Sequence, residues 1–280
     1  MVPGSGRFGR GPLVRKTKPG SAPLYNADVL SSPGDPSSDV IRVAHLTKRF
    51  GSATVVHDLS FAVVPGEIVG FLGPNGAGKT TTLAMLLGLL LPTAGEIRVL
   101  GLPMPAERQR ILARVNFTSP YVALPGNLTV DENLIVFAHL YGVRGARAHI
   151  DALLERFDLA AMRHRAAGRL SSGEGTRLGL VKALLNDPEV LLMDEPTASL
   201  DPDSAERVRE SLREIRRERQ MTIFYTSHNM QEVERLSDRI LFLHQGRLIA
   251  DGPPGDVLRA FARHTLEEMF LDVARRGVAP

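Results

Sequence analysis

The chain has 280 residues, of which 43% are hydrophobic, and its formal net charge at pH 7 is +3. This length and apolar content are sufficient for one large core with a smaller attached subdomain. The chain has no cysteine, which excludes disulfides and thiolate metal sites. Its longest apolar stretch, residues 83–91, is too short to cross a membrane.

Residues 1–39 differ in composition from the rest of the chain. They are rich in glycine, proline and serine, and five basic residues against three acidic ones give a net charge of +2. They lack the apolar core of a signal peptide. We therefore expect a disordered basic tail, either simply solvated or in contact with anionic lipid. The remainder is close to neutral, which argues against nucleic acid as a partner.

The first folded elements are predicted to be short strands. Apolar and polar positions alternate in short pieces over residues 40–67, which is typical of a partly antiparallel sheet. Residues 68–72 then form a continuous apolar run, as expected for a parallel strand that is buried on both faces. A helix is predicted to follow at residues 81–91.

The loop between this strand and this helix matches the phosphate-binding pattern G-x-x-x-x-G-K-[ST] at every position. It consists of Gly73, Pro74, Asn75, Gly76, Ala77, Gly78, Lys79 and Thr80. Its glycines allow backbone N–H groups to approach phosphates, Lys79 supplies a cation, and the Thr80 hydroxyl is a ligand for Mg²⁺. Only five of the 34 basic residues are lysine, so the lysine at position 79 suits a point charge that arginine does not replace.

A second apolar strand ends in paired acids. Residues 120–182 are predicted to form an inserted helical subdomain, and the strand follows at residues 190–193. Asp194 and Glu195 come directly after it. Adjacent carboxylates at the end of a core strand suit Mg²⁺ binding and the orientation of an attacking water. The alternative is an ordinary strand end that meets solvent.

Two further strands, at residues 221–225 and 240–243, are predicted to complete a mostly parallel sheet with helices on its faces. His228 follows the first of them, although a lone histidine at a strand end is usually structural. A last helix is predicted at residues 257–274. The predicted organisation is a tail at residues 1–39, a nucleotide-binding domain at 40–252 and a helical extension at 253–280.

The segment Leu170-Ser171-Ser172-Gly173-Glu174 narrows the class of nucleotide-binding protein. It resembles the signature of ABC-type ATPases, commonly LSGGQ, with Ser172 and Glu174 as variants; an ordinary N-capped helix is the alternative. Its spacing to Asp194 is also similar to that family. The resemblance implies an α/β fold: a P-loop NTPase core with a mostly parallel sheet, an N-terminal antiparallel β subdomain and the inserted helical subdomain.

The resemblance also implies ATP and Mg²⁺ as cofactors. It makes Glu195 the residue that orients or deprotonates water, with His228 and Lys79 stabilising charge on the phosphates. Thr80 and Asp194 would hold the metal. Phe50 would stack on adenine, with core packing as the alternative. The other residues expected to contact nucleotide are the P-loop residues 73–80, Thr81, Ser171, Ser172, Gly173, Glu174 and Asp201.

One element of the family is missing. Members usually carry a glutamine before the helical subdomain, where it touches Mg²⁺ and the attacking water, but residues 114–121 contain none. Ser119 is predicted to replace it as a metal-site residue, although its hydroxyl has a shorter reach. We expect slower or more partner-dependent hydrolysis. A negative charge on Glu174 is unfavourable beside a triphosphate, so its side chain is expected to point away.

The assembly follows from the same resemblance. The signature of one family member faces the P-loop of another, which implies a two-fold homodimer around two ATP molecules. The membrane-spanning part would be a separate permease chain, which places this chain at the cytoplasmic face of the cell membrane. Residues 266–270 resemble the tail of exporter ATPases, or form an amphipathic closing helix. ATP-driven export is expected; the alternatives are a soluble ABC ATPase and an ATP-gated regulatory module.

Overall fold

Two β-sheets organise the residues that the computed structural model describes, 39–119 and 124–276. The strands of the smaller sheet are β1 (Ile41–Phe50), β2 (Ala53–Val63), β4 (Ala94–Val99) and β5 (Leu102–Met104). They pair in the order β2-β1-β4-β5 and every pairing is antiparallel. The expected tail at residues 1–39 lies outside the described residues except for Asp39.

The larger sheet is mostly parallel. Its strands are β3 (Ile68–Leu72), β6 (Val115–Thr118), β7 (Val190–Asp194), β8 (Thr222–Ser227), β9 (Arg239–His244) and β10 (Arg247–Gly252). They lie in the order β10-β9-β3-β8-β7-β6, and only the pairing of β10 with β9 is antiparallel. The predicted fold class, a mostly parallel sheet with an antiparallel β subdomain, is confirmed.

Strand β3 separates two hydrophobic cores. Because side chains alternate along a strand, Ile68 and Leu72 join the core on the helical side, whereas Val69 and Phe71 join the core against the smaller sheet. All of β3 is buried. Burial of each large apolar side chain contributes about 1.5–3 kcal/mol, so the strand that carries the phosphate loop is firmly held.

Helices cover the larger sheet and fill the segment between β6 and β7. Their bounds are α1 (Lys79–Leu86), α2 (Arg108–Leu112), α3 (Val130–Leu140), α4 (Ala146–Arg156), α5 (Ser172–Leu184), α6 (Pro202–Arg219), α7 (Met230–Leu236), α8 (Pro254–Ala260) and α9 (Leu266–Arg276). Helices α3, α4 and α5 pack on one another between β6 and β7, where the helical subdomain was expected. Over the described ranges, no helix has the length and apolarity to cross a bilayer.

Two predicted helix bounds are wrong. Helix α1 ends at Leu86 rather than at residue 91, because Gly88 adopts a left-handed conformation with φ 63° that a helix cannot contain. The expected single helix at residues 257–274 is two helices, α8 and α9. Ala262 lies between them with φ 49°, which ends the first helix and lets the second pack against α7.

Candidate nucleotide site

The predicted phosphate and carboxylate groups come from neighbouring strands. β3, β8, β7 and β6 are consecutive in the sheet, and all four run parallel. The P-loop follows β3, His228 follows β8, Asp194 ends β7, and Ser119 follows β6. The carboxyl ends of these strands therefore bring the four predicted segments to one edge of the sheet, where ligands of open α/β sheets bind.

The P-loop requires glycine at three positions, because of close contacts or of a positive φ. A Cβ at Gly73 would lie 2.1 Å from the Leu243 backbone oxygen, so no side chain fits there. Gly78 has φ 105° and a Cβ would lie 2.9 Å from the Val55 oxygen. The space beside Gly76 is open, and its φ of 79° is what favours glycine. The loop is thus a backbone cradle, which suits a phosphate group.

Lys79 is buried at the start of α1 and its ammonium group lies inside the loop. Its Nζ donates to the backbone oxygens of Gly73 at 2.6 Å and Pro74 at 3.2 Å. Burial lowers the pKa of this amine, and the nearby carboxylates of Glu195 and Asp194 partly oppose that shift. A cation between the loop and two acids is well placed for phosphate oxygens.

Asp194 is fixed by a hydroxyl that the sequence analysis missed. Thr226 Oγ1 donates to Asp194 Oδ1 at 2.5 Å. Thr226 Oγ1 also accepts a hydrogen bond from the Glu195 backbone N–H at 3.2 Å. Thr226 is fully buried in β8. A hydroxyl residue near the end of a core strand is the sequence signal that points to it, although β8 carries three other hydroxyl groups, at Thr222, Tyr225 and Ser227.

Glu195 contacts His228. The Glu195 Oε2 and His228 Nδ1 atoms are 2.6 Å apart, a geometry in which the imidazole N–H donates to the carboxylate. Glu195 itself has φ 50°, which is uncommon for a residue with a side chain. Its backbone N–H also donates to the backbone carbonyl oxygen of Thr226 at 3.1 Å. The surrounding structure therefore imposes the orientation of this carboxylate.

A second buried acid, which sequence reasoning also missed, supports the loop that carries His228. Ser227 Oγ donates to Glu232 Oε2 at 2.8 Å and accepts from the Asn229 backbone N–H at 3.0 Å. Burial raises the pKa of Glu232, and its hydrogen bonds with Thr197 and Ser227 oppose that shift. Glu232 thus links the loops that follow β7 and β8.

The signature residues begin α5 with a capping box. Ser171 Oγ accepts from the Glu174 backbone N–H at 3.2 Å, and the Glu174 carboxylate accepts from the Ser171 N–H at 2.7 Å. That backbone hydrogen bond holds the pKa of Glu174 below its usual range. The carboxylate is therefore turned back onto its own helix, while Ser171 and Ser172 are exposed to solvent.

The remaining predicted residues occupy different environments. Phe50 is 49% exposed, with Lys48 Nζ 5.0 Å from its ring centre, so it is not a core residue. Asp201 caps α6 by accepting from the Ser204 N–H at 3.0 Å, and this bonding lowers its pKa. Ser119 is buried. Asn75, Gly76 and Thr80 are exposed, Pro74, Thr81 and Gly173 are half-buried, and Ala77 is buried.

Comparison with known proteins decides the family. A family model described as ABC transporter matches residues 56–198, just over half of the chain. The chain belongs to the ABC transporter family. The match runs from the antiparallel sheet to the loop after Glu195, so it contains the P-loop, the signature and both acids of the site.

This ABC ATPase is similar to curated bacterial proteins over most of its length. It is 46% identical to the Nod factor export ATP-binding protein I of Paraburkholderia xenovorans (strain LB400), with 80% of this chain and 74% of the relative covered. It is 39% identical to the bacitracin transport ATP-binding protein BcrA of Bacillus licheniformis, with 84% and 76% covered. Both relatives are named as ATP-binding proteins, one for export and the other for transport.

Solved structures agree with the fold of the ABC ATPase. A structure titled ATP binding subunit of ABC transporter superposes with a TM-score of 0.77 at 27% identity, covering 84% of this chain and all of that one. The CbiO1 structure from Clostridium perfringens has a TM-score of 0.71 at 23% identity, with 85% and 96% covered. The second likeness concerns the fold alone.

The donors at this site suit a metal that is bound together with a nucleotide. Among the residues described, no group of three or more acidic or histidine side chains could hold a metal ion. A cation held by Asp194 and Thr80 would need further oxygen ligands from phosphate groups and water, the ligands that hard Mg²⁺ prefers. The backbone cradle of the P-loop and the buried ammonium of Lys79 fit those phosphates.

Proposed function

We propose that this ABC ATPase hydrolyses Mg²⁺-bound ATP with Glu195 as the residue that orients or deprotonates the attacking water. The contact of 2.6 Å between Glu195 and His228 carries the proposal, because it joins a strand-end carboxylate to a histidine at the edge that holds the P-loop. Bound Mg²⁺ would neutralise charge on the phosphates. Lys79 would hold phosphate oxygens, and His228 would hold both Glu195 and the γ-phosphate.

We propose that the residues expected from the sequence to contact nucleotide do so. The P-loop residues 73–80 and Thr81 would surround the phosphates, Asp194, Thr80 and Ser119 would hold Mg²⁺ directly or through water, and Phe50 would stack on adenine. The exposure of Phe50 supports that role, because an unpacked ring is free to stack. Asp201 would act from the N-terminus of α6.

We propose a two-fold homodimer that encloses two ATP molecules. The signature lies at the exposed N-terminus of α5, where the Ser171 hydroxyl and the first helical N–H groups are suited to an anion. One chain has one P-loop and one signature, so a head-to-tail pair would supply two complete sites. Because Glu174 is turned onto Ser171, its charge would not meet the triphosphate.

The partner is proposed to be a separate membrane permease, with this chain at the cytoplasmic face of the membrane and export as the direction. The names of the relatives support a transport role, and one of them specifies export. The C-terminal resemblance adds little, since Leu266 and Met269 of α9 are buried in the core.

The test is Glu195→Gln, which removes the carboxylate and keeps a side chain of the same size. We expect ATP turnover to fall by about 10²–10⁴-fold, with ATP-dependent dimerisation retained in light scattering. Equal, negligible turnover in both proteins would favour an ATP-gated regulatory module instead. Unchanged turnover in the variant would exclude the role of Glu195.

A further inference from the structure

A cavity lies where the smaller sheet meets the edge of the larger sheet that is opposite the nucleotide site. Residues that precede or begin β6, β7 and β8 line one side, and residues of β1, β4 and the turn after β4 line the other. Its volume is about 750 Å³, within the range of small-molecule sites. We call it the arginine cavity, after four of its six charged lining residues: Asp39, Arg42, Arg98, Arg114, Glu189 and Arg219.

Positive charge exceeds negative charge in the arginine cavity. Four arginines against two carboxylates give the lining residues a net charge of +2. On the side of the larger sheet, Arg114 forms a bidentate ion pair with Glu189, with contacts of 2.5 and 2.6 Å. Arg219 pairs with Asp187, which lies outside the lining. Even when Asp187 is counted, four arginines face three acids, so a net charge of +1 remains.

The excess charge belongs to the smaller sheet. Arg42 and Arg98 are directly opposite each other in the antiparallel pairing of β1 with β4. Side chains at such positions share a face of the sheet, and like charges there are destabilising. Arg42 forms an ion pair with Asp39 at 2.6 Å. Arg98 donates to the Gly101 backbone oxygen at 3.3 Å and pairs with no acid among the described residues, so an anion between the two arginines would relieve their repulsion.

A carboxylate oxygen of the same cavity lacks a hydrogen-bond donor. The side chain of Asp39 is 1% exposed, and its Oδ2 accepts from Arg42 Nε at 2.9 Å. Its Oδ1 is buried and has no hydrogen-bond partner within the described part of the chain. Buried polar atoms are normally hydrogen-bonded. Because Asp39 lines the cavity, this oxygen suits a hydroxyl or amino group of a ligand.

We propose that the arginine cavity binds a small phosphate monoester, with its phosphate between Arg42 and Arg98 and a hydroxyl or amino group of the same molecule on Asp39. A phosphate monoester carries a charge of about −1.5 to −2 at pH 7, and guanidinium groups bind its oxygens in pairs. The acids at the cavity disfavour nucleic acid and other long polyanions. This inference is independent of the proposed function, because the three residues lie outside the nucleotide site.

The experiment titrates the full chain in a calorimeter at pH 7.5 with glucose 6-phosphate, glucuronate and glucose, which share a ring of hydroxyls and differ in charge. We expect saturable binding of glucose 6-phosphate, weaker binding of glucuronate and no binding of glucose. Inorganic phosphate should bind more weakly than glucose 6-phosphate, because it lacks the sugar hydroxyls that would reach Asp39. Equal binding of glucose and its phosphate would overturn the inference.

Four variants locate the binding, since a phosphate group also fits the P-loop. Arg98→Gln should weaken the binding of glucose 6-phosphate at least about tenfold, because it removes a charge-assisted contact. Arg98→Lys keeps the charge and should lose less affinity. Arg247→Gln removes an exposed arginine from β10, at the other end of the larger sheet from β6, and should have no effect. Lys79→Ala, in the P-loop, should also leave the affinity unchanged.

Chemical protection maps the contact directly. Phenylglyoxal modifies accessible guanidinium groups, and mass spectrometry of peptides shows which arginines have reacted. Arg98 and Arg247 are both exposed, and glucose 6-phosphate should protect the first and not the second.

Three results would contradict the arginine cavity as the binding site. One is the absence of glucose 6-phosphate binding by the wild type. Another is loss of binding in Lys79→Ala with full binding by Arg98→Gln, which would assign the ester to the P-loop. The third is a lower melting temperature in Arg98→Gln with wild-type affinity per folded molecule, which would leave Arg98 a structural role. The outcome for Glu195→Gln bears on none of these results.

Discussion

Two lysines, the buried Lys79 and the half-buried Lys182, occupy regions of opposite character. Lys79 lies in the P-loop among backbone oxygens, and the charges of Glu195 and Asp194 act on it. Lys182 lines a groove between the end of α1, strand β6 and helix α3, where burial lowers its pKa and no described acid opposes that effect. The nucleotide edge thus contains both cations and acids, whereas the described residues around Lys182 supply no acid.

The two regions differ in whether residues of this chain hold the charged groups in place. At the nucleotide edge, the groups that would contact nucleotide are held by other residues of this chain: Thr226 holds Asp194, and Glu232 holds Ser227 beside His228. Together with the backbone of the P-loop, these contacts preorganise that edge for phosphates. Around Lys182, by contrast, Leu89 is exposed, the lysine is half-buried, and no described acid opposes the effect of burial on its pKa.

The same conservative substitution at both lysines gives the largest expected contrast. Lys79→Arg should reduce ATP turnover by about 10²-fold or more, because a wide planar guanidinium does not fit between the Gly73 and Pro74 oxygens. Lys182 lines an open groove, so Lys182→Arg should reduce ATP turnover by less than a tenth of the factor expected for Lys79→Arg. Steady-state phosphate release measures both, and equal losses would remove the distinction between the regions.

Thr226→Val tests whether contacts within the chain hold the acids of the nucleotide edge in place. The change removes the hydroxyl that holds Asp194 and the Glu195 backbone, so turnover should fall about tenfold and the Mg²⁺ concentration for half-maximal rate should rise. Thr222→Val is the matched control, since it removes a hydroxyl that accepts from Gly66 N–H at the other end of the same strand. A similar loss in the control would indicate a general effect on folding.

Ser119→Ala probes the boundary between the two regions, because Ser119 follows the strand that Lys182 bonds. If the hydroxyl serves the metal site, turnover should fall a few-fold, roughly the effect of one hydrogen bond of 0.5–1.5 kcal/mol, with weaker Mg²⁺ dependence. Ser119→Thr keeps the hydroxyl and should restore the rate. Unchanged turnover and Mg²⁺ dependence in Ser119→Ala would refute the role.

Glu232→Gln should give the smallest effect, one on stability with pH. Burial raises the pKa of Glu232 in the folded protein, so the folded state binds more protons than the unfolded state above the ordinary value for glutamate. Wild-type stability is therefore lost as pH rises from that ordinary value through the raised pKa. The variant lacks this loss, so its melting temperature relative to wild type should increase between pH 4.5 and 8, by calorimetry. A constant difference would show that folding does not raise the pKa of this carboxyl.

Much of the nucleotide edge was predictable because local signals coincide there. The apolar run of β3 and the glycines of the P-loop indicate strand, turn and phosphate cradle together, and the acids at the end of β7 are adjacent in sequence. The fold class followed from the same strands. The assigned roles of Phe50, Ser119 and Asp201 stay predictions, since they concern a nucleotide.

The missed features depend on contacts between distant segments. Thr226 holds Asp194 across 32 positions of sequence, and no periodicity reports such a pair. The early end of α1 depends on the conformation of Gly88, which a run of leucines conceals. The partial burial of Lys182 is set by packing of α5 on β6 and α3.

The capping box at Ser171 and Glu174 has a consequence for the proton of the serine hydroxyl. The Ser171 oxygen accepts from the Glu174 N–H inside the turn, and its own hydrogen is within reach of the Glu174 carboxylate, with which the hydroxyl forms a further hydrogen bond that lowers the pKa of Glu174. Glutamine, the commoner residue at the end of this motif, offers the same side-chain oxygen to the turn as glutamate. The departure at position 174 therefore alters the charge of the motif and keeps the acceptor oxygen that closes the turn.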